Sequence, residues 1–443
     1  MVVVIGAGIS GLSCAWWLRQ QGMRVTVLEA DSRVGGKVRT MHTPQAVIEA
    51  GPNTLLADAA LQGWLSELGL VVEQPAPLSR ARFVLRGGVY RRLPAGPLSL
   101  LAGDYFSWRA RLALLSEPFR SARRASTPET VADFFRRRVG AEVLDRAVSP
   151  FVGGVFAGDP EQLLMTETLP MLAEAERRAG SISLGILRMA LGGGLTRKRP
   201  VSLTGGLEAL PSRLARDLNV RLATPALSLC KMGAQWRITT TEGELCAEQV
   251  VLALPAPAAA ALLAKAYPDT AQALNAVRYA PMTVVASLLE TDSVSRPLHG
   301  FGGLHPASEQ AFCAGHLMTG SLYPQRCPPT RTLITSFVGG EGYRRQAALD
   351  DAALLAGLNA ELTGFFGLAR PPVAQHLIRW PQAIPQGTAA IAPARRAMAA
   401  LANDGLHVCS AWLDGVSVPD CLAKGKRLAA SLAALAGPAD TAR

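Results

Sequence analysis

Several residue types that mark common functional classes are scarce in this sequence. Aromatic side chains make up 6% of the 443 residues, which argues against a stacking platform for single-stranded nucleic acid. The six histidines are dispersed without an HxH or HExxH spacing, so the sequence predicts no metal site. Charged residues amount to 18% against 49% hydrophobic residues, which excludes a disordered chain and leaves ample apolar material for a large core.

Long hydrophobic runs and paired cysteines are also absent. The longest uncharged apolar stretch, 250–264, is interrupted by two prolines and is shorter than the ~20 residues needed to span a bilayer. The seven cysteines contain no CxxC pair, which favours free thiols in a reducing compartment. The N-terminus has no basic region before its apolar start, which indicates a strand and not a signal peptide. A cytoplasmic protein is therefore expected.

Basic residues outnumber acidic ones, and they concentrate in one segment. The 45 Lys+Arg and 34 Asp+Glu residues give a net charge of +11, and ten arginines against two acids lie between Arg80 and Arg124. Apolar groups such as Phe106, Trp108 and Phe119 are interleaved with them. This composition is typical of an interfacial helix on an anionic membrane, at the inner face of the cell membrane for a cytoplasmic protein. An ordinary packing helix with a solvated basic face would have the same composition, and both interpretations stay open. No nucleic-acid partner is expected, because no motif of that class is present.

The N-terminal segment carries a glycine turn between a strand and a helix. An apolar run at 2–5 leads into Gly6-Ala7-Gly8-Ile9-Ser10-Gly11, and a second strand closes with Glu29, 23 residues after Gly6. In this GxGxxG pattern Gly6 permits the tight turn, Gly8 lets a pyrophosphate approach, and Gly11 lets the helix pack on the strand. The phosphates lie at the helix N-terminus, and Glu29 accepts hydrogen bonds from a ribose. The pattern predicts a dinucleotide-binding α/β fold of Rossmann type.

Two further segments indicate that the dinucleotide is FAD and not NAD. The stretch from Arg33 to Thr40, RVGGKVRT, resembles the RxGGRxxT extension of FAD-dependent amine oxidases and desaturases. The stretch Glu49–Thr54 resembles the loop that passes beside the flavin in the same superfamily. We therefore expect FAD as the cofactor.

Remote segments complete the nucleotide fold, so the expected domains are discontinuous. We expect an FAD-binding domain at 1–75, 200–255 and 385–443, a substrate-binding domain at 76–90 and 256–384, and a helical, membrane-associating domain at 91–199.

Four internal segments narrow the resemblance to one family. They are Gly153–Pro160 (GVFAGDP after the first glycine), Gly300–Pro306, Phe337–Gly340 and Gly415–Cys421. With the FAD motifs, the sequence resembles the flavin-dependent protoporphyrinogen oxidase family along nearly the whole chain. The resemblance implies an α/β fold with α+β insertions: a Rossmann-type FAD domain of the amine oxidase and protoporphyrinogen oxidase superfamily, a substrate domain and a helical membrane-associating insertion.

The implied activity is FAD-dependent, six-electron oxidation of protoporphyrinogen IX to protoporphyrin IX. It is a late step of heme biosynthesis, with dioxygen as acceptor and hydrogen peroxide released. Coproporphyrinogen III, the same chemistry on a ring with four carboxylates, is the alternative substrate. Amine oxidation and a non-catalytic flavin scaffold stay open beyond these.

The resemblance also implies site residues. The implied FAD contacts are Gly6, Ala7, Gly8, Ile9, Ser10, Gly11, Glu29, Gly36, Lys37, Gly51, Pro52, Asn53, Thr54, Ala226, Ala411, Val416, Ser417 and Val418. The implied substrate contacts are Arg82, proposed to pair with a propionate, and Gly154, Phe301, Leu304, Leu317 and Phe337. No catalytic side chain is implied, because the flavin does the chemistry.

The sequence departs from the family pattern near its last third. The family often has IPQY followed by GH, whereas this chain has Ile384-Pro385-Gln386-Gly387-Thr388. The glycine-rich approach to the last flavin loop is replaced by the segment Cys409–Leu413, CSAWL.

Overall fold

The computed structural model of the chain describes residues 1–94, 96, 99, 103–122, 127–194 and 196–436. Arg123 and Arg124, the end of the basic segment, lie outside the described residues. All seven cysteines are free, and five of them are buried.

A parallel sheet of five strands forms the nucleotide-binding half. Numbered in chain order, its strands are β1 Val2–Ile5, β2 Val25–Leu28, β10 Asn219–Arg221, β14 Gln249–Leu252 and β20 Leu406–Val408. They lie in the order β10-β2-β1-β14-β20, and every pair is parallel. All four side chains of β1 are buried, as expected for a continuous apolar run in a sheet covered on both faces. The Rossmann-type α/β fold predicted from the glycine motif is confirmed.

Smaller sheets surround this half. An antiparallel meander contains β11 Ala226–Met232, β12 Gln235–Thr240 and β13 Gly243–Ala247. Two further sheets pair β3 Thr40–His42 with β4 Val47–Glu49, and β9 Arg199–Leu203 with both β5 Leu55–Ala57 and β6 Val72–Glu73.

A seven-stranded sheet forms the second half. Its strands are β7 Arg82–Arg86, β8 Val89–Arg92, β15 Tyr279–Glu290, β16 Gly302–Leu304, β17 Gly315–Leu317, β18 Arg331–Gly339 and β19 Ala374–Pro385. Their order is β19-β15-β18-β17-β16-β7-β8. In the register of β16, β17 and β18, Leu304 lies opposite Gly315, which lies opposite Phe337. Because side chains alternate along a strand, residues at 304, 317 and 337 share one face, and those at 303, 316 and 336 share the other.

Helices cover both sheets. Among the described residues, the helices from Trp108–Leu115 to Ile182–Leu191 follow one another without an intervening strand, and we call this stretch the helical segment. The α-helices are Ile9–Gln20, Ala59–Glu67, Trp108–Leu115, Val131–Val139, Ala141–Val143, Ser149–Phe156, Met165–Thr168, Pro170–Ala179, Ile182–Leu191, Ala209–Ala215, Ala256–Leu263, Pro268–Asn275, Thr319–Leu322, Arg344–Ala347, Asp351–Phe366, Ile391–Ala402 and Val418–Ala436, with a π-helical turn at Leu144–Val148. Short 3₁₀ turns occur at Pro77–Arg80, Glu117–Phe119, Thr291–Ser293, Ala307–Glu309, Pro324–Arg326 and Glu341–Tyr343.

The helical segment has its own core and several exposed apolar side chains. Val131, Phe134 and Phe135 belong to this core. On its surface Phe119 is 89% exposed and Trp108 65%. Within the described residues, no helix is both long and apolar enough to cross a bilayer. The domain bounds given above remain a prediction.

Candidate active site

The glycine turn after β1 shows which of its glycines the protein itself requires. Gly6 has φ +107°, and a Cβ there would lie 2.7 Å from the carbonyl oxygen of Ala253; a Cβ on Gly11 would lie 2.1 Å from the carbonyl oxygen of Gly6. Gly8 has an ordinary φ of −68°, and no atom lies within 4 Å of the Cβ position. Neither backbone conformation nor packing requires glycine at Gly8, so the close approach of a pyrophosphate explains it best. The turn therefore fits a dinucleotide.

Glu29 links the glycine turn to the ends of the neighbouring strands. Its two carboxylate oxygens accept hydrogen bonds of 2.6 Å from the N–H of Ala7 and 2.9 Å from the N–H of Asp31. The Glu29 carbonyl accepts a hydrogen bond from the N–H of Thr224, two residues before Ala226. Glu29 and Ala226, expected at the ribose and adenine ends of FAD, therefore lie on adjoining segments.

Lys37 lies where the RVGGKVRT segment meets the seven-stranded sheet. Its Nζ donates a hydrogen bond of 2.6 Å to the carbonyl oxygen of Ala383 and lies 5.3 Å from the centre of the Tyr279 ring. Burial lowers the pKa of Lys37 to about 8. A Cβ on Gly51 would lie 1.9 Å from the Lys37 carbonyl oxygen, so the two segments expected beside FAD are in contact.

The loop 51–54 carries a buried polar atom with no protein partner. Asn53 donates from Nδ2 to the Gly51 carbonyl over 3.0 Å, while its Oδ1 is buried and has no hydrogen bond. A buried acceptor without a partner costs about 1–3 kcal/mol unless a bound group donates to it. Asn53 Oδ1 is therefore available to an N–H or O–H group of the cofactor.

The loop after β20 is held by a buried lysine that sequence reasoning missed. Lys424 donates from Nζ to the carbonyl oxygens of Ser410 over 2.6 Å, of Gly415 over 3.2 Å, and of Leu413. These three acceptors lie around Ala411 and directly before Val416, so Lys424 fixes the loop that the resemblance places beside the flavin. No sequence motif marks Lys424, because its partners are backbone atoms that only the fold brings together.

The same loop ends in a helix cap. Ser417 Oγ and N–H both donate to Asp420 Oδ2, and the Asp420 N–H donates to Ser417 Oγ. This reciprocal pattern is a capping box. The final helix consequently begins at Val418.

Four of the six predicted substrate residues come together at the seven-stranded sheet. Phe301 and Phe337 pack against the buried Leu317, and the Arg82 guanidinium lies 4.9 Å from the centre of the Phe301 ring. Arg82 is exposed and pairs with no carboxylate of the described residues. The other two predicted substrate residues, Gly154 and Leu304, are in contact with each other, because a Cβ on Gly154 would lie 2.3 Å from Leu304 Cδ2.

Comparisons with known proteins identify the family of the chain. The family described as "Flavin containing amine oxidoreductase" matches residues 9–433. The chain is 30% identical to protoporphyrinogen oxidase 2 of Arabidopsis thaliana, over 97% of this chain and 92% of the relative, and 30% identical to human protoporphyrinogen oxidase, over 97% and 98%. The chain belongs to the protoporphyrinogen oxidase family of flavin-containing amine oxidoreductases. It is an FAD-dependent oxidoreductase.

Other similarities lie further away. A coproporphyrinogen III oxidase of Bacillus subtilis is 25% identical over 96% of both chains. Among solved structures, one from Exiguobacterium sp., named as a candidate protoporphyrinogen oxidase, superposes with a TM-score of 0.83 at 23% identity over 98% of both chains. The structure of cyclohexylamine oxidase from Brevibacterium oxydans superposes with a TM-score of 0.72 at 20% identity, over 98% of this chain and 99% of the other. At these identities the two structures support the shared fold.

The departure from the protoporphyrinogen oxidase pattern at Gly387 has a steric reason. A Cβ on Gly387 would lie 3.0 Å from Glu167 Cβ and 3.2 Å from Thr168 Oγ1, so the space for a tyrosine side chain is taken by the helical segment. Arg395 holds Glu167 in place with two hydrogen bonds, of 3.0 and 2.7 Å. The neighbouring Gln386 donates from Nε2 to the carbonyl oxygens of Phe156 and Ile384.

The structure contains one cluster of potential metal ligands that no short sequence motif predicts. The expectation of no metal site rested on the absence of short His spacings, but the fold brings together residues far apart in sequence. The cluster contains His305, Cys313, His316 and Glu361. It lies on the sheet face opposite the substrate residues.

Proposed function

We propose that the protein oxidises protoporphyrinogen IX to protoporphyrin IX in heme biosynthesis. Six hydrogens leave the substrate in three two-electron steps, and three dioxygen molecules become three molecules of hydrogen peroxide. The names of the relatives from Arabidopsis thaliana and human support the substrate class.

The observation that carries the proposal is the position of Arg82 at the edge of an apolar surface. Its guanidinium lies over the Phe301 ring at 4.9 Å, beside Leu317 and Phe337. A porphyrinogen has an apolar macrocycle with carboxylates on its rim, and a free guanidinium beside apolar side chains fits both parts. A guanidinium holds a carboxylate with two parallel hydrogen bonds, which also fixes the orientation of the ring.

The chain's own residues orient the substrate and keep water out. Bound FAD supplies the acceptor for a hydride. Hydride loss from a bridge carbon is assisted by the adjacent pyrrole nitrogen, which then releases its N–H proton readily. A strong protein base is therefore unnecessary, which agrees with a surface built from Phe301, Leu304, Leu317 and Phe337. Tautomerisation would bring successive hydrogens to one abstraction point, so the surface of Phe301, Leu317 and Phe337 would need to hold the ring in only one orientation for all three oxidations.

Coproporphyrinogen III is the second candidate, because one relative carries that name. It bears four carboxylates, whereas the six residues of the surface include one cation, Arg82. A single guanidinium beside apolar groups favours the less charged protoporphyrinogen IX.

Steady-state turnover of three substrate classes tests the proposal. The purified protein should show a flavin spectrum and produce porphyrin fluorescence and peroxide from protoporphyrinogen IX, with a lower kcat/KM for coproporphyrinogen III. The reverse order would assign the second candidate. Turnover of primary or secondary amines without porphyrin formation would assign an amine oxidase, and FAD binding without any turnover would assign a scaffold.

We also propose that the helical segment binds an anionic membrane surface from the cytoplasmic side. Four apolar side chains of one short stretch are exposed: Trp108, Leu112, Leu115 and Phe119. Arg109, also exposed, lies over the Trp108 ring. Nearby, the helix Ile182–Leu191 exposes three leucines and Arg188. Apolar side chains flanked by arginines are typical of interfacial helices, and a surface location would place the site near an apolar substrate.

A further inference from the structure

Four metal-ligand side chains meet behind the substrate surface. They are His305, Cys313, His316 and Glu361, and one ligand atom from each lies within 4.8 Å of the other three. We propose that this His2CysGlu cluster binds one divalent transition metal, with Zn²⁺ as the best match, at a structural site. The site is independent of FAD and of the proposed substrate.

The distances between the ligand atoms fit a tetrahedral ion. His316 Nε2 and Glu361 Oε1 are 3.4 Å apart, and Cys313 Sγ lies 3.8 Å from His316 Nε2. His305 Nδ1 lies 3.8 Å from that sulfur and 4.0 Å from the Glu361 oxygen. A tetrahedral Zn²⁺ with bonds of about 2.0–2.3 Å separates its ligand atoms by about 3.3–3.8 Å. These four separations are within a few tenths of an ångström of the tetrahedral values, and the other two, which are at most 4.8 Å, would shorten by about 1 Å on metal binding.

Glu361 supplies an independent indication of a missing partner. Its side chain is 6% exposed, and Oε1, the oxygen that faces the cluster, accepts no hydrogen bond. The other oxygen accepts one from the Phe312 N–H. Burying a carboxylate oxygen without a partner is costly. A cation at the centre of the cluster removes that cost.

The charges and ligand types also fit zinc. Cys313 binds as a thiolate after releasing its proton to solvent, so the thiolate and the Glu361 carboxylate balance the two positive charges of the ion. A neutral complex suits an interior where the two histidines and Cys313 are fully buried. A set of two imidazoles, one thiolate and one carboxylate is within the range of zinc ligands, whereas Mg²⁺ and Ca²⁺ prefer oxygen.

Neighbouring groups orient both imidazoles. His316 Nδ1 lies 2.9 Å from Ser336 Oγ, which leaves Nε2 directed at the cluster. His305 Nε2 lies 2.7 Å from the Tyr90 hydroxyl oxygen. His305 Nδ1 lies 2.8 Å from the Cys313 carbonyl oxygen, so metal binding at Nδ1 would replace that hydrogen bond. The proton would then be on Nε2, which would donate a hydrogen bond to the Tyr90 hydroxyl. Such outer partners fix ring orientation in metal sites.

The site would join a helix to the back of the substrate sheet. Glu361 comes from the helix Asp351–Phe366, while His316 lies on β17 next to Leu317. His305 likewise follows Leu304 directly. Ligation would therefore fix the strands that carry two of the predicted substrate residues, from the opposite face.

Metal content of the untagged holoenzyme tests the proposal. The protein is produced in medium with added Zn²⁺, and zinc and FAD per chain are measured separately. We expect about one zinc per wild-type chain. Cys313→Ser and Glu361→Gln should bind Zn²⁺ about 100-fold more weakly or worse, while FAD per chain is unchanged. Failure of the proposed function would leave the zinc result intact, because metal content does not depend on substrate.

Two controls separate this site from incidental thiol binding. Cys327→Ser removes another buried thiol, which donates to the Arg331 carbonyl outside the cluster, and a Cys230→Ser/Cys246→Ser variant removes the two exposed thiols. Both should keep wild-type zinc. Loss of zinc from the second control, or equal zinc in wild type and Cys313→Ser, would overturn the proposal.

A measurement on the wild type covers variants that fail to fold. The holoenzyme is stripped with a chelator and titrated with Zn²⁺ while its thermal midpoint is recorded. We expect stoichiometric binding and a midpoint raised by about 3 °C or more. Failure to bind Zn²⁺ would identify the cluster as a metal-free polar network and overturn the proposal.

Discussion

The indole Nε1 of Trp380 donates a 2.6 Å hydrogen bond to the carbonyl oxygen of Ala50. Trp380 lies on β19 and, like Phe337, packs against the buried cluster that contains Met282 and Val284, whereas Ala50 directly precedes the loop expected beside the flavin. This bond therefore connects the sheet that carries the predicted substrate surface with the predicted cofactor loop.

Trp380→Phe should weaken this connection without removing the cofactor. Loss of about 1 kcal/mol of hydrogen bonding corresponds to a fall in kcat of about 3- to 10-fold, with FAD per chain unchanged. Trp236→Phe is the matched control, because Trp236 Nε1 also donates to a backbone carbonyl, that of Asp404, away from the site. Equal kcat losses in the two variants would show that the Trp380 bond has no special role.

Gly8→Val should empty the cofactor site while the fold persists. The Cβ of the added side chain has no protein atom within 4 Å, so the main expected effect of the valine is to occupy the space reserved for the pyrophosphate. FAD content, measured by absorbance after gel filtration, should fall to a small fraction of wild type. Gly63→Val, at another glycine with nothing within 4 Å of its Cβ position, should keep full FAD. Wild-type occupancy in Gly8→Val contradicts the assignment of the turn.

Arg82→Ala should weaken substrate use and leave FAD bound. Loss of a charge-assisted hydrogen bond of ~1.5–3 kcal/mol predicts a ten- to hundred-fold fall in kcat/KM, mainly through KM if the contact is equal in ground and transition states. Arg82→Lys should recover part of the loss, because lysine lacks the planar fork. Arg80→Ala, an exposed arginine two residues earlier, is the control. An unchanged kcat/KM for Arg82→Ala would falsify the anchor role.

Glu117→Gln should destabilise the helical segment and change its response to acid. Glu117 forms an ion pair with Arg138, and their side chains are 2% and 0% exposed. Burial alone would raise the pKa of Glu117, but hydrogen bonds from Ser181, Ser183, Arg138 and Ile182 outweigh it and lower the pKa to about 2. The carboxylate therefore stabilises the fold above its ordinary pKa, and this stabilisation is lost as pH falls from about 4.5 towards 2.

The comparison is between unfolding curves of wild type and Glu117→Gln at several pH values. The variant leaves the buried Arg138 with Glu176, at 3.4 Å, as its remaining carboxylate partner, so we expect the loss of a charge-assisted hydrogen bond, about 1.5–3 kcal/mol at pH 7. The difference in unfolding free energy between wild type and Glu117→Gln, which we call the gap, should narrow below pH 4.5. Glu174→Gln, at an exposed carboxylate beside Arg177 and Arg178, should resemble wild type. A gap that stays constant down to pH 2 would contradict the assigned ionisation.

Membrane binding is predicted to depend on both charge and apolar contact. Vesicles with anionic lipid should retain the protein at low salt and release it as salt rises, because the screening length is ~10 Å at 0.1 M. A Trp108→Ser/Phe119→Ser variant should bind more weakly at every salt concentration, while Leu227→Ser, at an exposed apolar position on β11, should bind like wild type. Equal binding to neutral and anionic vesicles, or none, would favour the packing-helix interpretation.

The sequence was most informative where function requires contiguous residues. The GxGxxG turn and its strand, helix and acid can be recognised because a pyrophosphate needs these residues at fixed spacing on one short segment. The segments shared with the family contain four of the six predicted substrate residues, Gly154, Phe301, Leu304 and Phe337, for the same reason. The structure places the Arg82 guanidinium 4.9 Å from the centre of the Phe301 ring.

What could not be predicted depends on contacts between distant segments. In the sequence, Lys424 does not differ from other lysines on a predicted helix, because the loop carbonyls that it contacts are distant along the chain. Glu361 likewise has the pattern of a solvent-exposed helix residue, and only the folded structure shows that the sheet buries it. Because side chains alternate along β17, His316 and Leu317 point to opposite faces of the sheet. A strand of three residues is too short for this alternation to be recognised in the sequence.

The order in which the parallel sheet is assembled has a consequence for synthesis in the cell. The glycine turn is synthesised well before β20, which completes its sheet. It also precedes the helix Val418–Ala436, whose Leu422 carbonyl accepts a hydrogen bond from Ser13 Oγ on the helix after the turn. At ~5–20 residues per second these partners appear roughly 20–80 s later. Until then the apolar faces of β1 and its helix lack their covers. The sheet and helix pair that position the glycine turn are complete only when these late segments have been made, so we expect stable FAD binding to follow their synthesis.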